Sequence, residues 1–415
     1  MMKLIKYAVL GMLVSMYFFS FGFTFLPEQV NTKLIFAVFG ASFWVFNSIR
    51  GGSIEINRKL LGAICFAVVF SAVGFFSMDY NYSTDSSYAT YIVSFSVWMF
   101  AGYFVINCLK LGHKEVGFDL LAYYLIAVCV AQCMLALVID NVPVVKSVVD
   151  QYIEQGQGFL NNIERLYGIG ASLDNAGVRF SIVLLMLVAV LINSWKVQKN
   201  TLLLFLLLIS FIIIFTVGSI IARTTSVGGT LAIVYLFLGT GVWRFFLKRE
   251  LLKLYLVFFL CLLFVLLLAT YFYKTNPVFY DYMRFAFEGF FNWVEKGEWK
   301  TTSTDRLNSV MWIWPDPNDN KTWLIGKATF DNWHAVGTDI GYCRFVFYNG
   351  LLGLSIFSLF FVYNAWACSK LLPGYELFFA FLLLLSFVIW LKVATDLFLV
   401  YALFYCLEGG ERRRI

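Results

Sequence analysis

The chain has 415 residues, of which 61% are hydrophobic and only 13% charged, and its mean hydropathy is +0.79. A soluble protein of this length carries roughly a quarter charged residues, so the composition excludes that class and specifies an integral membrane protein. The net charge of +6 is no nucleic-acid signature, because the basic residues sit in short segments between apolar runs.

Apolar runs of about twenty residues predict helical spans, since a helix satisfies its own backbone hydrogen bonds in hydrocarbon. A transmembrane barrel would show short alternating segments, and none occur. The predicted class is an all-α polytopic membrane protein with twelve spans. They lie near 5–26, 33–49, 60–78, 89–109, 118–139, 176–195, 201–221, 225–245, 252–272, 343–366, 375–391 and 392–408. Met1 to Pro27 has an apolar run too long for a signal peptide and no small-x-small cleavage site, so it is kept as the first span.

Orientation follows from the bases. Lys3/Lys6, Arg50/Arg58/Lys59, Lys110/Lys114, Lys196/Lys199, Arg244/Lys248/Arg249/Lys253, Lys370 and Arg412-Arg413-Arg414 alternate with segments poor in Lys and Arg, and Asp79 to Ser87 has none. The positive-inside rule then puts both termini in the cytoplasm, in agreement with an even number of spans. The expected organisation is spans one to nine over 1–272, a large external loop over 273–342, and spans ten to twelve with a cytoplasmic tail over 343–415. Within the first part, Asp140 to Asn175 forms a second outside segment. Its Val144, Val145, Val148, Val149, Tyr152 and Ile153 fall at helical spacing and predict an interfacial helix.

The eight cysteines lie in or beside apolar runs with no CxxC and read as small buried hydrophobes. Two histidines, His113 and His334, are too few for a His-rich metal site, and neither a metal nor another cofactor is expected.

Arginine near membrane depth is costly and calls for a reason. Arg179 stands at the mouth of the sixth span, Arg223 between two apolar runs, Arg306 in the long loop, and Arg344 at the start of the tenth span. Each either snorkels to headgroups or pairs with an acid, or else uses its guanidinium fork on phosphate oxygens. His334 is the external histidine, able to take or give a proton or to contact phosphate. Asp339 either positions an acceptor or caps the tenth helix. Trp293, Trp299, Trp312, Trp314, Trp323 and Trp333, out of 12 tryptophans, crowd the external loop. Their flat faces suit sugar rings, and the competing reading is an interfacial aromatic belt. Lys392 and Asp396, four apart on the last span, read as a structural pair on one helix face.

These residues resemble the bacterial O-antigen and capsule polysaccharide polymerases of the Wzy type, relatives of the O-antigen ligases. The likeness rests on the many-span plan, on Arg223-Thr224 followed by Gly228, and on the large loop before the last three spans. It rests also on Thr338-Asp339-Ile340-Gly341-Tyr342, the later Gly350-x-x-Gly353, and Arg165-Leu166-Tyr167-Gly168-Ile169-Gly170 ahead of Ala176-Gly177. The ligases tend to show a His-Asn pair near the re-entry, whereas His334 precedes Ala335 here.

The resemblance implies a GT-C-like architecture in the inner membrane and a glycosyltransferase working on its outer face. Repeat units carried on polyprenyl diphosphate would serve as donor and acceptor, with membrane lipids as partners and room for a chain-length regulator protein. Arg223, Arg306, Arg344 and His334 become the catalytic candidates, with Arg179, Asp339, Tyr342, Trp312 and Trp333 as substrate-binding candidates. Ligation of the glycan to lipid A core, and flipping of lipid-linked sugars without chemistry, stay open as alternatives.

Overall fold

The computed structural model describes residues 2–51, 57–156, 160, 165–241, 249–330 and 336–407. The basic residues Arg244, Lys248 and Arg412-Arg413-Arg414 lie outside the described residues, as do Trp333 and His334. The helices used below are α1 (Met2–Phe18), α2 (Thr32–Gly51), α3 (Arg58–Tyr80), α4 (Tyr91–Gly112), α5 (Phe118–Asn141) and α6 (Pro143–Tyr152). Then follow α7 (Leu173–Asn193), α8 (Thr201–Ile221), α9 (Thr224–Thr240), α10 (Arg249–Thr275), α11 (Pro277–Ala286) and α12 (Glu288–Lys296). The last are α13 (Asn320–Ile325), α14 (Gly341–Leu371), α15 (Glu376–Ile389) and α16 (Phe398–Cys406).

Each of the twelve apolar segments of the sequence holds a helix. Among the described residues, eight helices are long and apolar enough to cross a membrane: α2, α3, α4, α5, α7, α8, α10 and α14. The protein is thus a multi-pass helical membrane protein. The other four apolar helices are shorter, at 17 residues for α1 and α9, 14 for α15 and nine for α16.

The chain packs into two compact units, Met1–Thr32 with Gly112–Lys300, and Lys33–Leu111 with Thr301–Ile415. The long polar segment is shared between them, residues 273–300 going to the first and 301–342 to the second. It also carries helices of its own, α11, α12 and α13.

The first unit is built around α7. Every residue from Phe180 to Leu191 is buried, the pattern of a helix apolar on all sides and surrounded by protein. Helix α9 comes unusually close: a Cβ on Gly228 would stand 2.1 Å from that of Ser181, so the position needs a residue without one. The Ser181 hydroxyl bridges the two helices, donating to Gly177 O at 2.7 Å and Thr224 O at 3.2 Å. At the loop end, strands β1 (Gly22–Phe23) and β2 (Ile153–Glu154) pair antiparallel, with Gly22 opposite Glu154. The expected amphipathic helix is α6, and its apolar face is divided. Val149 and Ile153 are buried with Ile139, Leu160 and Tyr167, and Val145 packs against them. Val144 remains 72% exposed, so only part of the face is left for lipid or another surface.

In the second unit α14 packs on α3 and is broken at Gly350 (φ 66°, ψ −169°). A side chain there would collide with the backbone of Leu324, which crosses 2.2 Å from where the Cβ would stand. The break releases carbonyls of the helix, and the crossing segment takes them. Lys327 N donates to Phe347 O at 2.6 Å and Ala328 N to Tyr348 O at 3.0 Å. The Gly350-x-x-Gly353 pattern therefore has a packing reason at its first glycine. Rings of Phe70, Tyr91, Phe345, Phe360 and Trp390 surround Phe357 to fill the core.

The last expected span is interrupted. Residues 390–397 between α15 and α16 are not helical. Lys392 and Asp396 therefore do not share a helix face, and the Asp396 carboxylate instead accepts from Phe398 N at 3.0 Å at the start of α16.

Candidate functional site

Only Ala222 and Arg223 separate α8 from α9. Hydroxyl groups fasten this turn. Thr225 Oγ1 donates to Gly218 O at 2.9 Å, Ser226 Oγ to Arg223 O at 2.7 Å, and the Thr224 hydroxyl to the Asp174 carboxylate. The turn thus projects Arg223 from a fixed base. Its side chain is 15% exposed and forms an ion pair with Glu288 at 2.8 Å. Its Nε donates to Phe285 O at 3.0 Å, and its guanidinium lies 4.0 Å from the centre of the Phe285 ring. Arg165 approaches the same ring at 5.1 Å. Burial lowers the Arg223 pKa, the Glu288 carboxylate opposes that shift, and Arg165 adds to it. Two guanidinium groups share one aromatic ring, with one carboxylate ion-paired to Arg223. That arrangement suits an anion carrying more than one charged oxygen.

Arg179 does not join this cluster. Gly177 and Ser181 of α7 face Ala222, Thr224 and Gly228, and Arg179 lies between them in sequence, about 200° around the helix from either. Its guanidinium is 5.7 Å from the ring of Phe19.

The other described candidates belong to the second unit. Arg344, near the start of α14, lies 3.8 Å from the ring centre of Phe330 and donates to that residue's carbonyl. Its Nε is buried without a hydrogen-bond partner among the described residues. Phe330 N in turn donates to Asp85 Oδ2 at 2.6 Å, while Asp85 Oδ1 accepts from Ser87 N and Ser87 Oγ. Tyr348 OH donates to Asp85 O at 2.7 Å. A polar ladder thus runs from Asp85 through the Phe330 backbone to Arg344.

Asp339 is exposed and does not cap α14. The helix has no side-chain cap; ahead of it the Thr338 hydroxyl accepts from Ile340 N at 3.1 Å and donates to Met311 O. Tyr342 OH donates to Phe387 O at 3.0 Å, with its ring against Trp390, so this phenol is engaged in packing. Arg306 is exposed, where the short helix Thr302–Arg306 runs into a π-helical turn, Leu307–Met311. Trp312, 39% exposed, begins a run of rings: its centre is 5.8 Å from that of Trp314, and Trp314 stacks on Trp323 at 5.8 Å. Among the described residues no group of three or more His, Cys, Asp or Glu side chains is placed to hold a metal ion.

The sequence reading missed Phe285, Glu288, Phe330 and Asp85 as partners of the arginines. Asp85 carried a signal, as an acid in a segment, Asp79 to Ser87, that has no base. The two phenylalanines carried none, because Phe is the commonest aromatic in the chain, at 46 residues. The chain stands apart from known proteins: no family model, no curated protein and no solved structure matches it.

Proposed function

We propose that this protein is a surface-polysaccharide polymerase, joining oligosaccharide repeat units carried on polyprenyl diphosphate at the outer face of the inner membrane. In the reaction a hydroxyl of the acceptor unit attacks the anomeric carbon of the donor glycan. A new C–O bond forms as the bond to the diphosphate oxygen breaks, the acceptor proton passes to a base, and polyprenyl diphosphate departs. Negative charge grows on the leaving oxygen, so the catalytic need is for fixed positive charge in a poorly hydrated place.

The observation that carries the reading is the pair Arg223 and Arg165 on the ring of Phe285. Arg223 is held by a locked turn, so little reorganisation is needed as charge develops. Its fork addresses two oxygens at once, which a lysine cannot do. Exposed tryptophans of the same long segment offer flat faces to sugar rings.

The test is the length distribution of surface glycan in a strain lacking the gene and complemented at matched protein levels. Arg223→Ala is expected to leave single repeats on the surface, and Arg223→Lys to recover little. Wild-type ladders from both variants would reduce Arg223 to a structural anchor. Loss of even single repeats in the deletion strain would point to ligation, and units trapped inside would point to flipping.

A further inference from the structure

The fold describes five arginines in contact with an aromatic ring: Arg165, Arg179, Arg223, Arg284 and Arg344. Three of them have a polar group to hold: Arg223 has Glu288, Arg284 has Glu295, and Arg344 has the Phe330 carbonyl. Arg179 differs. Among the described residues its guanidinium has no hydrogen bond and no ion pair. The Phe19 ring lies on one side of it, with the neutral Cys129 thiol and Tyr17 phenol nearby. Among the described residues no carboxylate balances it. It is also not at a helix end, since it stands six residues into α7, about 9 Å along the axis from Leu173.

A permanent cation set among apolar walls without a counter-ion is a costly arrangement. Outward snorkelling does not describe it, because the guanidinium lies on the fully buried Phe19. The residue as a whole is nevertheless only partly buried. A soluble anion would have to leave water to arrive at this depth. A lipid brings its phosphate there while its chains follow the apolar surface.

We propose that Arg179 binds the phosphate of a membrane lipid headgroup, at a site on the opposite side of α7 from Arg223. This assignment rests on no part of the polymerase reading. The phosphate can come from bulk phospholipid or from a polyprenyl carrier, and the chemistry at the guanidinium is the same.

The test uses the full-length protein in detergent, with lipid adducts counted by native mass spectrometry. The probes are phosphatidylglycerol, polyprenyl monophosphate and, as a phosphate-free control, diacylglycerol. Wild type should retain phosphatidylglycerol in preference to diacylglycerol. Arg179→Gln should lower its affinity for phosphatidylglycerol at least tenfold, and Arg179→Lys should lie between the two. Displacement of phosphatidylglycerol by polyprenyl monophosphate would name the carrier as an occupant, and absence of displacement would assign the site to bulk phospholipid. Wild-type affinity in Arg179→Gln overturns the proposal. So does equal retention of phosphatidylglycerol and diacylglycerol by wild type, which needs no variant to fold. Polymer length is not a readout here, so failure of this site is separable from failure of the proposed reaction.

Discussion

In the first unit Arg223 lies on the ring of Phe285 and donates to that residue's carbonyl, and in the second Arg344 does the same with Phe330. The grip is shared and the carboxylate is placed differently. Glu288 pairs with the guanidinium of Arg223 itself. Asp85 instead binds the backbone N–H of Phe330 and leaves the guanidinium of Arg344 to the carbonyl alone. Aromatic face and carbonyl together are therefore enough to hold an arginine at such a place, and the acid sets how much of its charge stays available. An incoming anion competes with Glu288 at Arg223, whereas at Arg344 the Nε is buried and, among the described residues, without a partner.

The largest expected effect comes from removing the acid that acts through the backbone. Asp85→Ala leaves Phe330 N, Ser87 N and the Ser87 hydroxyl without their acceptor. Each such loss costs about 1–3 kcal/mol when the donor stays buried, and partial exposure brings the expected total to roughly 2–4 kcal/mol. Thermal unfolding in detergent measures it, and a wild-type midpoint would show that the Asp85 ladder holds nothing in place.

A smaller effect is expected from the rings. Phe285→Leu and Phe330→Leu keep the carbonyls and delete the aromatic faces, each a loss of roughly 1 kcal/mol. The cost should be greater at Phe330, because Arg223 keeps Glu288. Equal losses in denaturant unfolding would mean that the ion pair adds nothing to the ring.

The least change in stability should follow Glu288→Gln, since glutamine keeps the side-chain volume and an oxygen that can accept from Arg223. Its expected signature lies in binding: inorganic pyrophosphate should bind the variant several-fold more tightly, as read by titration calorimetry. Weaker binding would make Glu288 an orienting group for Arg223 and not a competitor.

Much of the helical plan was legible in the sequence because lipid imposes it. A run such as Leu202 to Ile221 has no other way to satisfy its backbone in hydrocarbon. Composition could not show that α7 is enclosed by protein while most of α10 is not, since both are apolar enough to cross a membrane. The break after Ile389 was hidden for the same reason: residues 390–397 contain no proline or glycine to announce it. Trp390 Nε1 donates to Thr395 O at 2.7 Å within that stretch, a contact with no periodic signature. At the sites, the arginines stood out because charge is rare in this chain. Their partners did not, since Arg223 and Phe285 are 62 residues apart and only folding brings them together.

The pairing of α15 with α16 bears on how the chain is counted across the bilayer. Helix α15 sets out just after Leu371, and α16 brings the chain back beside the same stretch of α14, where Tyr405 OH donates to Asn364 Oδ1 at 3.0 Å and Tyr401 approaches Phe361. With 14 and nine residues, these helices extend about 21 and 14 Å. Whether the pair is scored as two crossings or as a single dip, the parity of the chain is unchanged. A reporter fused after Leu407 should therefore report the same side as one inserted at Pro373.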